Sequence, residues 1–206
     1  RAVSPQFNFI FWLSLLIFSY LLVCDFENPQ RRRLLMFFGA VNFALLFYLY
    51  PYYWTFYLVF FVIFSLLLFL RGSAKEARSV VAVAGGGLIL ALPYFWMMSR
   101  AMALPEYTET LRRLGMIYSH FPSGIAIVIP AAILIAVVTV FLRARVIVWD
   151  RPTIFFASGI LAAVLSVNQH IVTGRNLAFS SHYYMLATFW FVFTAAYLFS
   201  AGWVKF

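Results

Sequence analysis

The chain has 206 residues, of which 65% are hydrophobic and 10% are charged. Soluble globular domains have about 45–50% apolar and about 25% charged residues, so this composition excludes a soluble domain. The net charge is +9, which in a soluble protein would indicate nucleic-acid binding. Here the Lys and Arg residues lie in short linkers between apolar runs, where such residues set topology and contact lipid headgroups. We therefore expect an integral membrane protein embedded in a lipid bilayer, with no nucleic-acid partner.

The apolar runs are continuous and do not alternate with polar residues, which predicts spanning helices instead of a β-barrel. The predicted fold class is an all-α polytopic membrane protein with about seven transmembrane helices, an outer amphipathic helix and a re-entrant polar loop. We expect one transmembrane domain over residues 1–206. Because the chain begins at Arg1 and has no signal peptide, we expect a processed or partial chain. The predicted spans are at about 7–23, 34–49, 52–70, 79–98, 125–142, 153–167 and 183–203.

The longest uncharged run, residues 34–70, is too long for one span. Its 37 residues would form a helix of about 55 Å, whereas the hydrocarbon core is about 30 Å thick. Pro51 lies in the middle of this run, within the aromatic stretch "YLYPYYW". Proline breaks the helical hydrogen-bond ladder, and Tyr and Trp favour the membrane interface. We therefore predict two helices joined by a tight turn at Pro51.

The distribution of Lys and Arg supports this division. With seven spans, ten basic residues lie on one side and five on the other, whereas one span over 34–70 gives eight and seven. The positive-inside rule favours the uneven arrangement. It places the N-terminus outside and the C-terminus in the cytoplasm, in what we expect to be a bacterial inner membrane. All three histidines then lie on the outer face.

The fourth predicted span contains three consecutive glycines, Gly85, Gly86 and Gly87, and Pro93. Small residues allow two helices to approach closely, or allow local unwinding where the backbone lines a cavity. Close helix packing is the interpretation that we favour.

The longest loop, 99–124, has the pattern of a short amphipathic helix lying in the interface. Pro105 suits a first helical position, and Glu106 and Glu109 suit a first turn, where the helix dipole favours anions. The simplest role is a structural cap over the bundle. A functional alternative is a roof over a substrate, because the neighbouring Arg112 and Arg113, with His120, could bind a phosphate through guanidinium groups.

The stretch "NQHIVTGRNLAFSSHYY" (168–184) is unusually polar for this chain. Polar groups at membrane depth are costly and usually line a cavity or pair with neighbours. Three interpretations stay open: a metal or pigment site at His170 or His182, a re-entrant loop satisfied by its own hydrogen bonds, or one wall of a polar substrate cavity. In the third case Asn168 and Arg175 would also face the substrate.

The active-site motifs of common soluble enzymes are absent from the sequence. There is no nucleophile elbow, phosphate-binding glycine loop or HExxH motif, and Cys24 is the only cysteine. No metal site is predicted. If the chain is an enzyme, we expect its catalytic acid to lie outside these residues.

The stretches "LPYFWMM…LPEYTETLRRLGMIYSHFPSG" and "NQHIVTGRNLAFSSHYY" resemble segments of large bacterial membrane proteins of the GT-C superfamily of glycosyltransferases. The resemblance implies a polytopic helical fold, a polyprenyl-phosphate sugar as donor and chemistry on the outer face. It also implies an acidic catalytic residue in the first outer loop, and no residue here matches that position.

The leading hypothesis is the membrane part of a GT-C-like glycosyltransferase, and the alternative is a non-catalytic subunit of a larger membrane complex with other membrane subunits as partners. A transporter is disfavoured, because the spans contain almost no ionisable residues and no inverted repeat. No cofactor is expected. The candidate substrate-binding residues are Arg112, Arg113, His120, Asn168, His170, Arg175 and His182.

Overall fold

The computed structural model describes residues 5–24, 28–113, 116–177 and 181–205. In these residues the chain forms ten helical segments and two three-residue strands. In chain order they are α1 (Pro5–Cys24), α2 (Pro29–Leu49), α3 (Pro51–Leu70), α4 (Ala74–Leu90), α5 (Leu92–Met102), α6 (Tyr107–Arg113), β1 (Met116–Tyr118), α7 (Ile125–Arg143), α8 (Arg151–Val167), α9 (His170–Thr173), β2 (Arg175–Leu177) and α10 (Ser181–Lys205).

The helices confirm an all-α polytopic membrane fold. Five described helical segments are long and apolar enough to cross a membrane, and the bent pair α4–α5 makes a sixth. The described part of α1 adds a shorter apolar helix, Phe9–Cys24. Each of the seven predicted spans thus falls on a helix or on the bent pair.

The chain divides into two compact units, unit 1 over Arg1–Tyr107 and unit 2 over Thr108–Phe206. Each unit is a helical bundle. The expectation of one transmembrane domain over residues 1–206 stays a prediction.

The predicted division at Pro51 is confirmed by two separate helices. Helix α2 ends at Leu49, its C-cap residue Tyr50 is extended, and α3 begins at Pro51. Proline is favoured at a first helical position, because its missing N–H would have no intrahelical acceptor there. Helix α2 likewise begins with a proline, Pro29. The side chain of its N-cap residue, Asn28, accepts hydrogen bonds from the backbone N–H groups of Gln30 and Arg31.

Aromatic side chains form most of the core of unit 1. The buried Tyr57 donates a hydrogen bond to the Trp12 carbonyl at 2.7 Å, which ties α3 to α1. Asn42 of α2 donates to the Ser14 hydroxyl of α1 at 2.6 Å. Polar groups in apolar surroundings are stable only when they are paired, so these bonds fix how α1 packs on its neighbours. The largest fully buried aromatic side chains in this unit are Trp12, Tyr53, Tyr57, Phe43, Phe56, Phe60 and Phe64.

The glycines of α4 allow close packing against α2, as the sequence predicts. A β-carbon at Gly87 would lie 2.5 Å from Phe43 Cδ1 and 3.1 Å from the Ala40 carbonyl oxygen. One at Gly86 would lie 3.2 Å from Ala40 Cβ. The helix stays continuous through all three glycines and ends at Leu90, so the alternative of local unwinding is not observed.

Gly87→Ala should destabilise unit 1 by about 1–2 kcal/mol, because overpacking against the buried Phe43 outweighs the gain in helix propensity. Gly85→Ala is the matched control, since a β-carbon there meets nothing within 4 Å. Thermal unfolding of both purified variants in detergent measures the difference. Equal midpoints for the two variants would show that the α2–α4 contact has room for a methyl group.

The fourth predicted span, 79–98, is not one continuous helix but two helices with a bend between them. Helices α4 and α5 meet at Ala91 with a bend of 50°. Pro93, the second residue of α5, lacks the N–H that would continue the helical ladder, which accounts for a break at this point.

Unit 2 is built on α7, α8 and α10, which pack on one another. Asp150 caps α8 by accepting a hydrogen bond from the Thr153 N–H at 3.0 Å, and the Thr153 hydroxyl lies 2.7 Å from the Tyr197 hydroxyl of α10. The centre of this bundle is the contact of Gly159 with Trp190. A β-carbon at Gly159 would overlap the indole ring, 1.4 Å from Cε2, so only glycine fits.

Two features of unit 2 were not predicted. The sixth apolar segment extends from Arg151 to Thr173, because the short helix α9 follows α8 with only Asn168 and Gln169 between them. The predicted end at residue 167 matches the end of α8, and re-entry of the following loop stays a prediction. A short antiparallel ladder, β1 with β2, also joins two stretches that we expected to be irregular.

Candidate functional site

Two polar stretches of unit 2 come together, and we call them the loop pair: residues 116–124 and 168–177. Strand β1 pairs antiparallel with β2, in the register Met116 to Leu177, Ile117 to Asn176 and Tyr118 to Arg175. Beyond the ladder, the Ser119 N–H donates to the Gly174 carbonyl at 3.2 Å. The stretches that the sequence placed on one face are therefore in direct contact.

His170 is the buried centre of the loop pair. Its ring is 1% exposed, with Nδ1 at 3.1 Å from the Val167 carbonyl and Nε2 at 2.8 Å from the Phe121 carbonyl. Neutral imidazole carries one N–H, so it donates to one of these carbonyls at a time, whereas the doubly protonated ring donates to both. The side chain joins the first residues of α9 to the stretch before α7, and both nitrogens already face backbone acceptors.

Asn168 acts in the same way. Its side-chain oxygen accepts a hydrogen bond from the Ser123 N–H at 2.8 Å, and its amide nitrogen donates to the Val164 carbonyl at 3.0 Å. This asparagine thus caps the end of α8 and holds the backbone that leads into α7. One of its polar ends is thus bonded to α8 and the other to the loop pair.

His120 lies on the exposed side of the loop pair. Its Nδ1 is 2.9 Å from the Ile171 carbonyl, and its ring edge packs over Gly174. A β-carbon at Gly174 would come within 2.9 Å of ring atoms Cε1 and Nε2, and Gly174 has the left-handed backbone conformation, with φ of 66°. Gly174 thus ends α9 in a turn, and the glycine is also needed to seat the histidine ring.

Gly124 sets the position of the loop pair on the bundle. It is the N-cap of α7 with φ of 77°, and a β-carbon there would lie 2.4 Å from Val167 Cγ1 and 3.8 Å from the Tyr184 hydroxyl. The loop pair therefore sits at the end of the bundle where α7 begins, α8 ends and α10 begins. The sequence pattern did not single out Ser123 or Gly124, although a Pro-Ser-Gly run before an apolar span is a signal for a helix start.

Arg113 is an exposed cation close in sequence to β1. Its Nε donates to Glu109 Oε1 at 3.0 Å, and the Arg113 side chain is 78% exposed. Both residues lie on α6, which begins at Tyr107, so the expected helix is present but starts two residues after Pro105. Exposed pairs of this kind contribute about 0.3–0.5 kcal/mol, so the guanidinium can exchange the carboxylate for another anion at little cost.

The remaining candidate residues are Arg112, Arg175 and His182. The side chains of Arg112 and Arg175 lie outside the described residues, although the backbone of Arg175 stands in β2 opposite Tyr118. His182 is a partly buried residue in the first turn of α10. In the described part of the chain, no group of three or more His, Cys, Asp or Glu side chains is arranged to hold a metal ion.

The structure thus brings His120, Asn168 and His170 together in the loop pair. Asn168 and His170 use their polar atoms on backbone groups, which favours the interpretation of a loop satisfied by its own hydrogen bonds at these two positions. His120 and Arg113 are the described candidates that are exposed. No protein-family model, curated protein or solved structure matches the chain.

Proposed function

We propose that the chain is the membrane part of a GT-C-like glycosyltransferase that uses a lipid-linked sugar donor at the outer face. The observation that carries the proposal is the contact between the two stretches of the loop pair at one end of unit 2. Both stretches are also the ones with sequence resemblance to that superfamily. In this proposal the loop pair is a rigid rim, and the arginines of α6, just before it in the chain, bind the donor phosphate.

The chemistry required of this rim is electrostatic. In transfer from a polyprenyl-phosphate sugar, an acceptor hydroxyl oxygen bonds to the anomeric carbon while the bond from that carbon to the phosphate oxygen breaks. The electron pair of the broken bond leaves on the phosphate, which gains negative charge, and the acceptor hydroxyl loses its proton to water. Guanidinium groups match phosphate oxygens in geometry and charge, and they stabilise such a leaving group most where water is excluded. Arg113 and the adjacent Arg112 are the groups that we assign to this role, and no general base is assigned.

The proposal includes a topology, in which the loop pair faces the outside of a bacterial inner membrane and the C-terminus faces the cytoplasm. The uneven count of ten and five basic residues on the two sides supports it. The opposite end of unit 2 carries Arg143, Arg145 and Arg151, as that orientation requires.

A non-catalytic subunit of a membrane complex is the second candidate function. It is favoured by Asn168 and His170, whose polar atoms are bonded to backbone groups of α8 and of the loop pair instead of facing a substrate. Large apolar side chains exposed on α7, including Ile129, Ile133 and Val140, could then contact other subunits instead of lipid.

Photocrosslinking with a polyprenyl-phosphate sugar that carries a diazirine near the phosphate separates the two candidates. If the chain binds the donor, labelled peptides should map to 108–124 or 168–182. The double variant Arg112→Ala/Arg113→Ala should lower labelling about tenfold, because two charge-assisted contacts of about 0.7 kcal/mol or more are lost.

Arg100→Ala is the matched control, since its guanidinium stacks over Trp96 at 5.5 Å and lies in unit 1. Its labelling should equal that of the wild type. Absence of labelling in both segments, in a preparation that is folded by thermal unfolding, would reject the glycosyltransferase proposal and favour the subunit.

A further inference from the structure

An open groove runs between α3 and α4 in unit 1, at the end where the two helices are joined. It encloses about 390 Å³. From α3 it is bordered by Ser65, Leu66 and Phe69, and from α4 by Ala74, Ala77, Arg78 and Val81. Most of this lining is apolar, and three of its large side chains are more than half exposed: Leu66 at 53%, Phe69 at 62% and Val81 at 56%.

The two faces of α4 have different roles. Its core face carries Glu76, Ser79, Val80 and Val83, all of which are buried. On that face, Arg32 of α2 donates to the Ser79 hydroxyl at 2.6 Å. The groove face carries residues 74, 77, 78 and 81, which follow helical spacing on the other side. The buried carboxylate and the groove cation are thus separated onto different faces of one helix.

Basic residues cluster in sequence at the α3–α4 connection, next to this end of the groove. Arg71, Lys75 and Arg78 lie within two turns of the α3–α4 connection, and all three side chains are exposed. Among the described residues, Arg78 has no hydrogen-bond or ion-pair partner, although its side chain borders an apolar groove. An arginine in this position favours a phosphate, which can accept two hydrogen bonds from one guanidinium group.

We propose that this groove binds an anionic phospholipid, with one acyl chain along Leu66, Phe69 and Val81 and its phosphate on Arg78. The charge of the groove end selects an anionic lipid over a neutral one, since each cation near the surface contributes about 1 kcal/mol toward anionic headgroups. A second apolar helix is a poorer occupant, because it would bury the guanidinium of Arg78 without a counter-charge. The groove lies in unit 1, so the inference does not rest on the glycosyltransferase proposal.

The test uses the full chain in nanodiscs that contain either phosphatidylglycerol or phosphatidylcholine with a diazirine in the acyl chain. With phosphatidylglycerol, labelled peptides should map to residues 65–81. Arg78→Gln should lower this labelling about fivefold, the factor that corresponds to the loss of one interfacial cation. Ser65→Phe, which fills the groove from α3 and keeps every charge, should lower it as well.

Arg143→Gln is the matched control, because Arg143 is also exposed and ends a spanning helix, but it lies in unit 2. Its labelling of 65–81 should equal that of the wild type. Three results would overturn the inference: equal labelling by the phosphatidylcholine probe, an equal loss in Arg143→Gln, or a Val81→Cys disulfide dimer, which would place a second copy in the groove.

Discussion

Gly159→Ala should lower the free energy of unfolding by about 2–4 kcal/mol, the largest effect that we expect from adding one methyl group. The added β-carbon would overlap the Trp190 ring at 1.4 Å, and Trp190 is 1% exposed, so the ring has no solvent-filled space to enter. Displacing it breaks the hydrogen bond from Nε1 to the Phe156 carbonyl, at 3.0 Å, and separates the ring from Phe155. Thermal or denaturant unfolding in detergent, followed by tryptophan fluorescence, measures the loss.

Gly202→Ala is the control for this prediction, because it adds the same methyl group to a helix of the same unit. A β-carbon there meets only Phe141 carbon atoms, at 3.7 Å or more, which is ordinary contact. Trp190→Leu in the Gly159→Ala background should recover part of the stability by making room. If Gly159→Ala were as stable as Gly202→Ala, the packing of α8 on α10 would have to differ from the one described.

His170→Ala should destabilise unit 2 by about 2–4 kcal/mol and loosen the loop pair. The substitution leaves a cavity and removes the donor that faces the Val167 and Phe121 carbonyls. Carbonyls that lose their donor are costly where water is excluded, and the His170 side chain that faces them is 1% exposed. Hydrogen exchange should show faster exchange of the Ser119 and Ser123 N–H groups, both of which are bonded within the loop pair.

His120→Ala is the control for the buried histidine. Its ring is exposed and its Nδ1 faces the Ile171 carbonyl, so we expect a loss of about 1 kcal/mol or less. The two variants also differ in the local structure that they should affect. His120→Ala should leave exchange at Ser123 unchanged, and an equal effect of the two variants on stability would contradict the central role of His170.

The features that could be predicted from the sequence depend on neighbouring residues. Pro51 in a long apolar run fixes the division between α2 and α3, because proline acts on the ladder within one turn. The glycines at 85–87 predict a close helix contact, since only small residues allow it. The apolar runs themselves predict each spanning segment, because a bilayer requires about 20 apolar residues per helix.

The loop pair could not be predicted, because its contacts join distant residues. His170 reaches Phe121 across 49 positions, and Asn168 reaches Ser123 across 45. Nothing in the local pattern distinguishes a histidine that serves a backbone carbonyl from one that binds a ligand. The ladder between β1 and β2 is also too short for strand periodicity to be seen. The sequence therefore predicts which stretches are polar. It does not predict whether their side chains form hydrogen bonds within the protein or remain available to a ligand.

The bend between α4 and α5 changes how the chain matches the thickness of a bilayer. A straight helix over residues 74–102 would extend about 43 Å, beyond a hydrocarbon core of about 30 Å. With α5 inclined by 50°, its 11 residues add only about 11 Å to the 25 Å of α4. Trp96 and Arg100, which stack on each other in α5, are then expected at the headgroup layer. With α4 along the bilayer normal, the proline break thus shortens this helical pair in that direction from about 43 Å to about 36 Å.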